Sequence, residues 1–164
     1  MKRIIESHNP AWKYLYEKES DKLKNIFKRE YKSLNHIGST SVEGLGSQPI
    51  IDMSIGMNEL QDKEYYAHKL ESLGYKYANG SAFEEWILFK KYKRHKFHLH
   101  IMPYNSKRLV EQIIFKLMLQ NNPDIAKMYE QKKRYLVDYD DPLFYHMAKE
   151  DFVNEVVKLG MSSS

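Results

Sequence analysis

An α+β fold, a small mixed sheet flanked by helices with a helical C-terminal third, is what this sequence predicts. Three observations carry it: an apolar run that alternates with a period of two, helix-period apolar patterns on either side of that run, and helices opened by Asn-Pro and Asp-Pro near the end. The 164 residues, 42% hydrophobic and 29% charged, are enough for one real core and exclude a disordered chain. No repeat, linker or low-complexity stretch divides them. Residues 1–160 therefore read as a single domain and 161–164 as a flexible tail.

Asn9 and Pro10 suit a helix start, with Asn as the cap and Pro in the first turn. Trp12, Leu15, Tyr16, Glu19, Leu23, Ile26 and Phe27 follow at helical spacing, out to about Tyr31. A short strand, Ser33 to Ile37, leads into Gly38-Ser39. The next strand, Pro49 to Met57, puts Ile51, Met53, Ile55 and Met57 on one face and Ile50, Asp52, Ser54 and Gly56 on the other. Asn58 is the expected cap of a helix marked by Tyr66, Leu70 and Leu73 and stopped by Gly74. After a short strand at Tyr75 to Ala78, Glu85–Tyr92 and Phe97–Met102 form a hairpin with a basic turn. Ser106 caps a helix whose wide apolar arc predicts deep burial. Asn122-Pro123 and Asp141-Pro142 open the last two, the latter running through Leu159.

Composition narrows the function classes. With no cysteine there is neither a disulfide framework nor a thiolate metal site. No apolar run reaches the roughly 20 residues of a membrane-spanning helix, and the first residues lack the apolar centre of a secretion signal. A cytoplasmic protein without a membrane partner is expected. A net charge of +4 favours anionic partners mildly, but 26 basic and 22 acidic residues are interspersed along the chain. That mixture fits a solvated surface better than a nucleic-acid footprint, and a small nucleotide or other anionic substrate is the expected partner.

The chemistry centres on "HIGSTSVEGLGSQPIIDMS", His36 to Ser54. A carboxylate inside an apolar strand is costly unless something pairs with it, so Asp52 needs either a structural partner or a cation. Glycine lets a backbone approach a phosphate closely, so Gly38, Ser39 and Thr40 can cradle one. A carboxylate on the next strand can hold Mg²⁺ against that phosphate. The competing reading is a turn glycine, a capping serine and an aspartate bonded to a neighbour.

The wording of this stretch closely resembles the GrpB family, which reads HIGSTAVPGL, two small residues, then KPIIDI. The likeness continues in "NPAW", in "HLHIMPYNS", in "NNPDIAKMYEQKK" and in "YHMAKEDFV", where Tyr145 is followed four residues on by Lys149. It implies a nucleotidyltransferase-like fold and a site for a nucleotide triphosphate with Mg²⁺ or Mn²⁺. Catalytic and metal-ligating roles then fall to Asp52, His98 and His100, and nucleotide binding to Gly38, Ser39, Thr40, Tyr145 and Lys149. His98 and His100 share one strand face, apolar residues the other. His36, before the glycine, is expected to stand behind the site.

Departures from the pattern matter. Glu43 and Gln48 replace the family's Pro and Lys, and Lys116-Leu117 an Arg-Asp. Active nucleotidyltransferases set two carboxylates two apart on one strand face, and here the second is Ser54. The two-metal clamp therefore lacks a standard ligand. Three functions remain open: metal-assisted nucleotidyl or phosphoryl transfer to an acceptor, a non-catalytic nucleotide- or anion-binding module, and a basic domain for RNA or protein.

Overall fold

The computed structural model describes residues 4–80, 86–138 and 141–162. Helix α1 (Ala11–Phe27) is followed by β1 (Tyr31–Ile37), a 3₁₀ turn (Ser39–Ser41) and β2 (Ile50–Met57). Then come α2 (Lys63–Leu70), β3 (Lys76–Gly80), β4 (Ile87–Tyr92) and β5 (Lys96–Pro103). Three helices finish the chain: α3 (Lys107–Asn121), α4 (Pro123–Leu136) and α5 (Pro142–Ser162). The five strands lie in the order β1-β2-β5-β4-β3. The β2/β5 pair is parallel and the other three are antiparallel, so the sheet is mixed.

The alternation in β2 divides the sheet as expected. Ile51, Met53, Ile55 and Met57 are buried against Trp12, Leu23 and Phe27 of α1 and Tyr66 and Leu70 of α2. That core also holds an ion pair. Glu19, buried on α1, accepts from Lys91 Nζ on β4 at 2.9 Å and from the Tyr75 hydroxyl at 2.6 Å. A second apolar cluster joins Val42 and Leu45 of the glycine-containing loop to Phe115, Leu119, Tyr129, Val156 and Val157 of the last three helices. Those helices therefore hold the loop against the other face of the sheet.

Several boundaries differ from expectation for local reasons. Helix α1 stops at Phe27 because Lys28 takes a left-handed φ of 51°, and Tyr31 already belongs to β1. Asn9 does serve the helix start, its Oδ1 accepting from Ala11 N at 2.9 Å. The cap of α2 is Asp62, which accepts from Tyr65 N at 2.9 Å, not Asn58, whose amide instead bonds Arg29 O. Ser106 caps α3 as predicted, yet Val110 and Leu117 are exposed, so the burial of that helix is narrower than its apolar arc. Met161 and Ser162 continue α5 instead of forming a tail. Glu85, the expected start of the hairpin, and residues 163–164 lie outside the described residues.

Candidate functional site

Strand register assembles the site. Ile37, Asp52, His98 and Lys90 form one cross-strand row on β1, β2, β5 and β4, and Asn35, Ser54, His100 and Leu88 form the next row on the same face. Both histidines turn toward one carboxylate oxygen: His98 Nδ1 is 3.6 Å and His100 Nε2 is 3.4 Å from Asp52 Oδ1. The Asp52 side chain keeps 30% of its surface exposed, so the group is open to solvent. Burial alone would raise its carboxyl. The hydrogen bond and attraction of His100, with His98 and Lys149 adding to them, outweigh burial and hold it below the usual carboxylate range.

His98 is driven the other way. Burial lowers it to about 4 despite Asp52, so it is neutral at pH 7. Its Nε2 lies 2.6 Å from the Tyr92 hydroxyl. Those neighbours assign the proton to Nδ1, toward Asp52, and leave Nε2 to accept from the phenol. Among the described residues His100 Nδ1 is buried without a hydrogen-bond partner, and its ring lies 6.2 Å from that of Trp86, over which Arg108 is stacked at 4.1 Å.

The loop before β2 distributes its residues in three directions. Gly38 has φ +73° and lies against the carboxylate, where an added Cβ would sit 2.9 Å from Asp52 Oδ2. Only glycine meets both demands. Ser39 is held by the last helices, its Oγ accepting from Lys133 Nζ at 2.6 Å, and Lys133 lies within the field of Asp52. Thr40 points to the other sheet face, where its hydroxyl meets His36 Nε2 at 2.9 Å. His36 itself stacks on Tyr16 of α1, and burial with Lys116 nearby lowers it to about 4 against the opposing pull of Asp52. Gly38 thus borders the carboxylate, and the Ser39 and Thr40 hydroxyls bond Lys133 and His36.

Lysines supply the charge around this face. Tyr145 is buried on α5 and Lys149 is partly buried one turn on. The Tyr129 phenol, followed by Tyr145, Asp52 and Glu150, raises Lys149 against the effect of burial. Lys133 of α4 also donates to Gly46 O at 3.0 Å, and Glu130 accepts from Gly46 N. Lys133 closes the stretch "NNPDIAKMYEQKK" but is not among the residues the sequence assigns to the site. A signal existed: Tyr129, Lys133 and Leu136, spaced at i, i+4 and i+7, form the buried stripe of α4.

A cavity of about 960 Å³ is on the His36 side of the loop, lined by Tyr16, His36, Thr40, Ser41 and Lys116 among others. Asp52, His98 and His100 do not line it. The cavity and the cluster of Asp52, His98 and His100 are thus separate, and the cluster is the candidate site.

Ser54 decides what the site can hold. It is fully buried, and its hydroxyl donates to Gln112 Oε1 of α3 at 2.5 Å. The position of a second carboxylate is therefore filled by a satisfied serine under a helix. These residues do not fit a pair of Mg²⁺ or Mn²⁺ ions, which need bridging carboxylates. Among the described residues no group of three or more His, Asp or Glu side chains is disposed to hold a metal ion, and no helix is long and apolar enough to cross a membrane.

Comparison with known proteins agrees with this architecture. The family model described as "GrpB protein" matches residues 3–159. The glutamate-rich protein GrpB of Alkalihalophilus pseudofirmus is 30% identical over 162 residues, covering 94% of this chain and 93% of that one. The YqkA protein of Bacillus subtilis is 28% identical over 92% of this chain, which spans only 45% of its length. The crystal structure of GrpB from Enterococcus faecalis superposes with a TM-score of 0.86 at 28% identity, covering 98% of both chains. The Cid1 poly(U) polymerase, at 18% identity and a TM-score of 0.51, shares the fold over 82% of this chain and 42% of its own. A sheet of this order, a His-Leu-His strand beside Asp52 and a family match over nearly the whole length place the chain in the GrpB family, on a nucleotidyltransferase-like fold.

Proposed function

We propose that the Asp52 cleft binds a phosphate-bearing small molecule of the nucleotide class and does not transfer its nucleotidyl group. The observation that carries this reading is Ser54, buried and bonded to Gln112, in the place of the second metal-binding carboxylate. One carboxylate remains on the strand, among His98, His100 and the field of Lys149. That balance suits an anion better than a metal pair. Gly38 supplies the close backbone approach, and Lys149 the cation that Gln48 cannot.

The test is a melt of the wild-type protein with ATP, UTP, GTP and CTP, with and without Mg²⁺, run beside a pyrophosphate-release assay. The expected result is saturable stabilisation by at least one nucleotide, weakened by Lys149→Ala, with no release above the protein-free rate. Release that depends on Asp52 would replace this reading with metal-assisted transfer. Absence of stabilisation by any of the four would remove the nucleotide.

A further inference from the structure

Lys133 has the environment of a charge whose partner is missing. Its side chain is among the most buried polar groups of the protein, at 3% exposure. Its bonded partners are neutral: Ser39 Oγ at 2.6 Å and Gly46 O at 3.0 Å, with the Tyr129 ring 4.7 Å from the ammonium. Among the described residues no carboxylate lies within ion-pair distance of it. Glu19, the other deeply buried charge, has Lys91 beside it. A buried ammonium without a counter-ion is costly, and an arriving anion removes much of that cost.

We infer that Lys133 is the counter-charge of the cleft's ligand, and that a phosphate-class anion entering between Gly38 and Lys149 binds together with a proton taken up at Lys133. This rests on the anion-binding reading above. The ammonium has three donors and no acceptor, so a protonated Lys133 obliges Ser39 Oγ to accept and frees the serine proton. A neutral amine has a lone pair and can take that proton. Lys133 acts through Ser39 and through its field, as a positioning residue.

The charges facing it agree in sign with proton uptake. Burial lowers Lys133 to about 7, Lys149 of α5 and Arg134 of its own helix add to that, and Glu130 of α4 and Asp52 of β2 oppose it. Tyr129 of α4 completes the surround, itself within hydrogen-bond reach of Ser39. An added anion raises a lysine, so at neutral pH binding draws in a fraction of a proton.

The experiment uses inorganic sulfate, which stays fully ionised from pH 6 to 8.5, with affinity read by thermal shift and by NMR titration. If only the protonated form binds, a group titrating near 7 weakens sulfate by about 30-fold across that range. Lys133→Arg, always charged, should keep the pH 6 affinity and flatten the profile. Lys133→Met should bind at pH 6 at least as weakly as the wild type does at pH 8.5, and its melt at each pH establishes that it is folded. A wild-type profile that persists in Lys133→Met would assign the proton to the histidines and overturn the inference. Wild-type binding that is independent of pH would overturn it too, while leaving the anion site standing. No binding by sulfate or nucleotide at any pH would sink both.

Discussion

Replacing Asp52 by Asn separates a carboxylate satisfied by the protein from one that waits for a cation. Asn is nearly isosteric, so packing against Gly38 is kept and the charge is what changes. In the structure that charge already has one hydrogen-bonded partner, His100 at 3.4 Å, with the neutral His98 ring 3.6 Å away, and its carboxyl is held below the usual range. Both contacts are long and the side chain is 30% exposed. The loss therefore belongs near the low end for charge-assisted hydrogen bonds, about 1–2 kcal/mol. For a chain of this size each 1 kcal/mol moves the melting temperature by roughly 2–4 °C, so Asp52→Asn should melt about 2–8 °C lower at pH 7.

The pH dependence fixes the sign. A carboxyl depressed in the fold contributes stability that is fully present above its unfolded value, near 3.9, and is lost as pH falls through its folded value. The gap between wild type and Asp52→Asn should be constant from pH 7 to about 5 and close in stronger acid. Calorimetry at pH 7, 5 and 3 measures it. Asp21→Asn, exposed on α1, is the control; Asp62 is unsuitable because it caps α2. An Asp52→Asn protein as stable as wild type at pH 7, or more so, would show that the carboxylate lacks a protein partner. A rise in wild-type melting temperature with Mg²⁺ or Mn²⁺ alone, abolished in Asp52→Asn, would assign it a cation.

Other expectations follow from the same contacts. Ser54→Asp should cost more than about 3 kcal/mol in urea unfolding, because it places an unpaired charge under α3, and should produce no pyrophosphate release. Glu19→Ala, which strands Lys91, should cost about 3–5 kcal/mol, and Glu19→Leu with Lys91→Met should recover most of that. His98→Ala and His100→Ala, on the open face, should each cost less than about 3 kcal/mol; a larger loss would mark the pair as core.

The sheet and its polar face were legible because they depend on local periodicity. Alternation along Pro49 to Met57 and Phe97 to Met102 assigned Asp52, Ser54, His98 and His100 their faces, and parallel pairing of β2 with β5 then brings Asp52 level with His98 and Ser54 level with His100. The cap of α2 was harder, since Asn58 and Asp62 are both good caps and only the length of the turn chooses between them. The exposure of Val110 and Leu117 was hidden for a related reason: periodicity shows which residues are apolar, not how wide a face the neighbouring helices cover.

Direction within the loop could not be read in advance. Gly38, Ser39 and Thr40 are consecutive, yet one meets Asp52, the next meets a lysine 94 residues away and the third meets His36. That fan follows from the positive φ of Gly38 and the tight 3₁₀ turn after it, which rotates successive side chains by about 120°. The three residues therefore make three separate attachments, each to a different element. Asp52 is left with a glycine below it and two imidazoles beside it. Its surroundings are those of a paired carboxylate at the edge of a basic cleft, and the unbalanced charge, Lys133 of α4, bonds the next residue of the loop, Ser39.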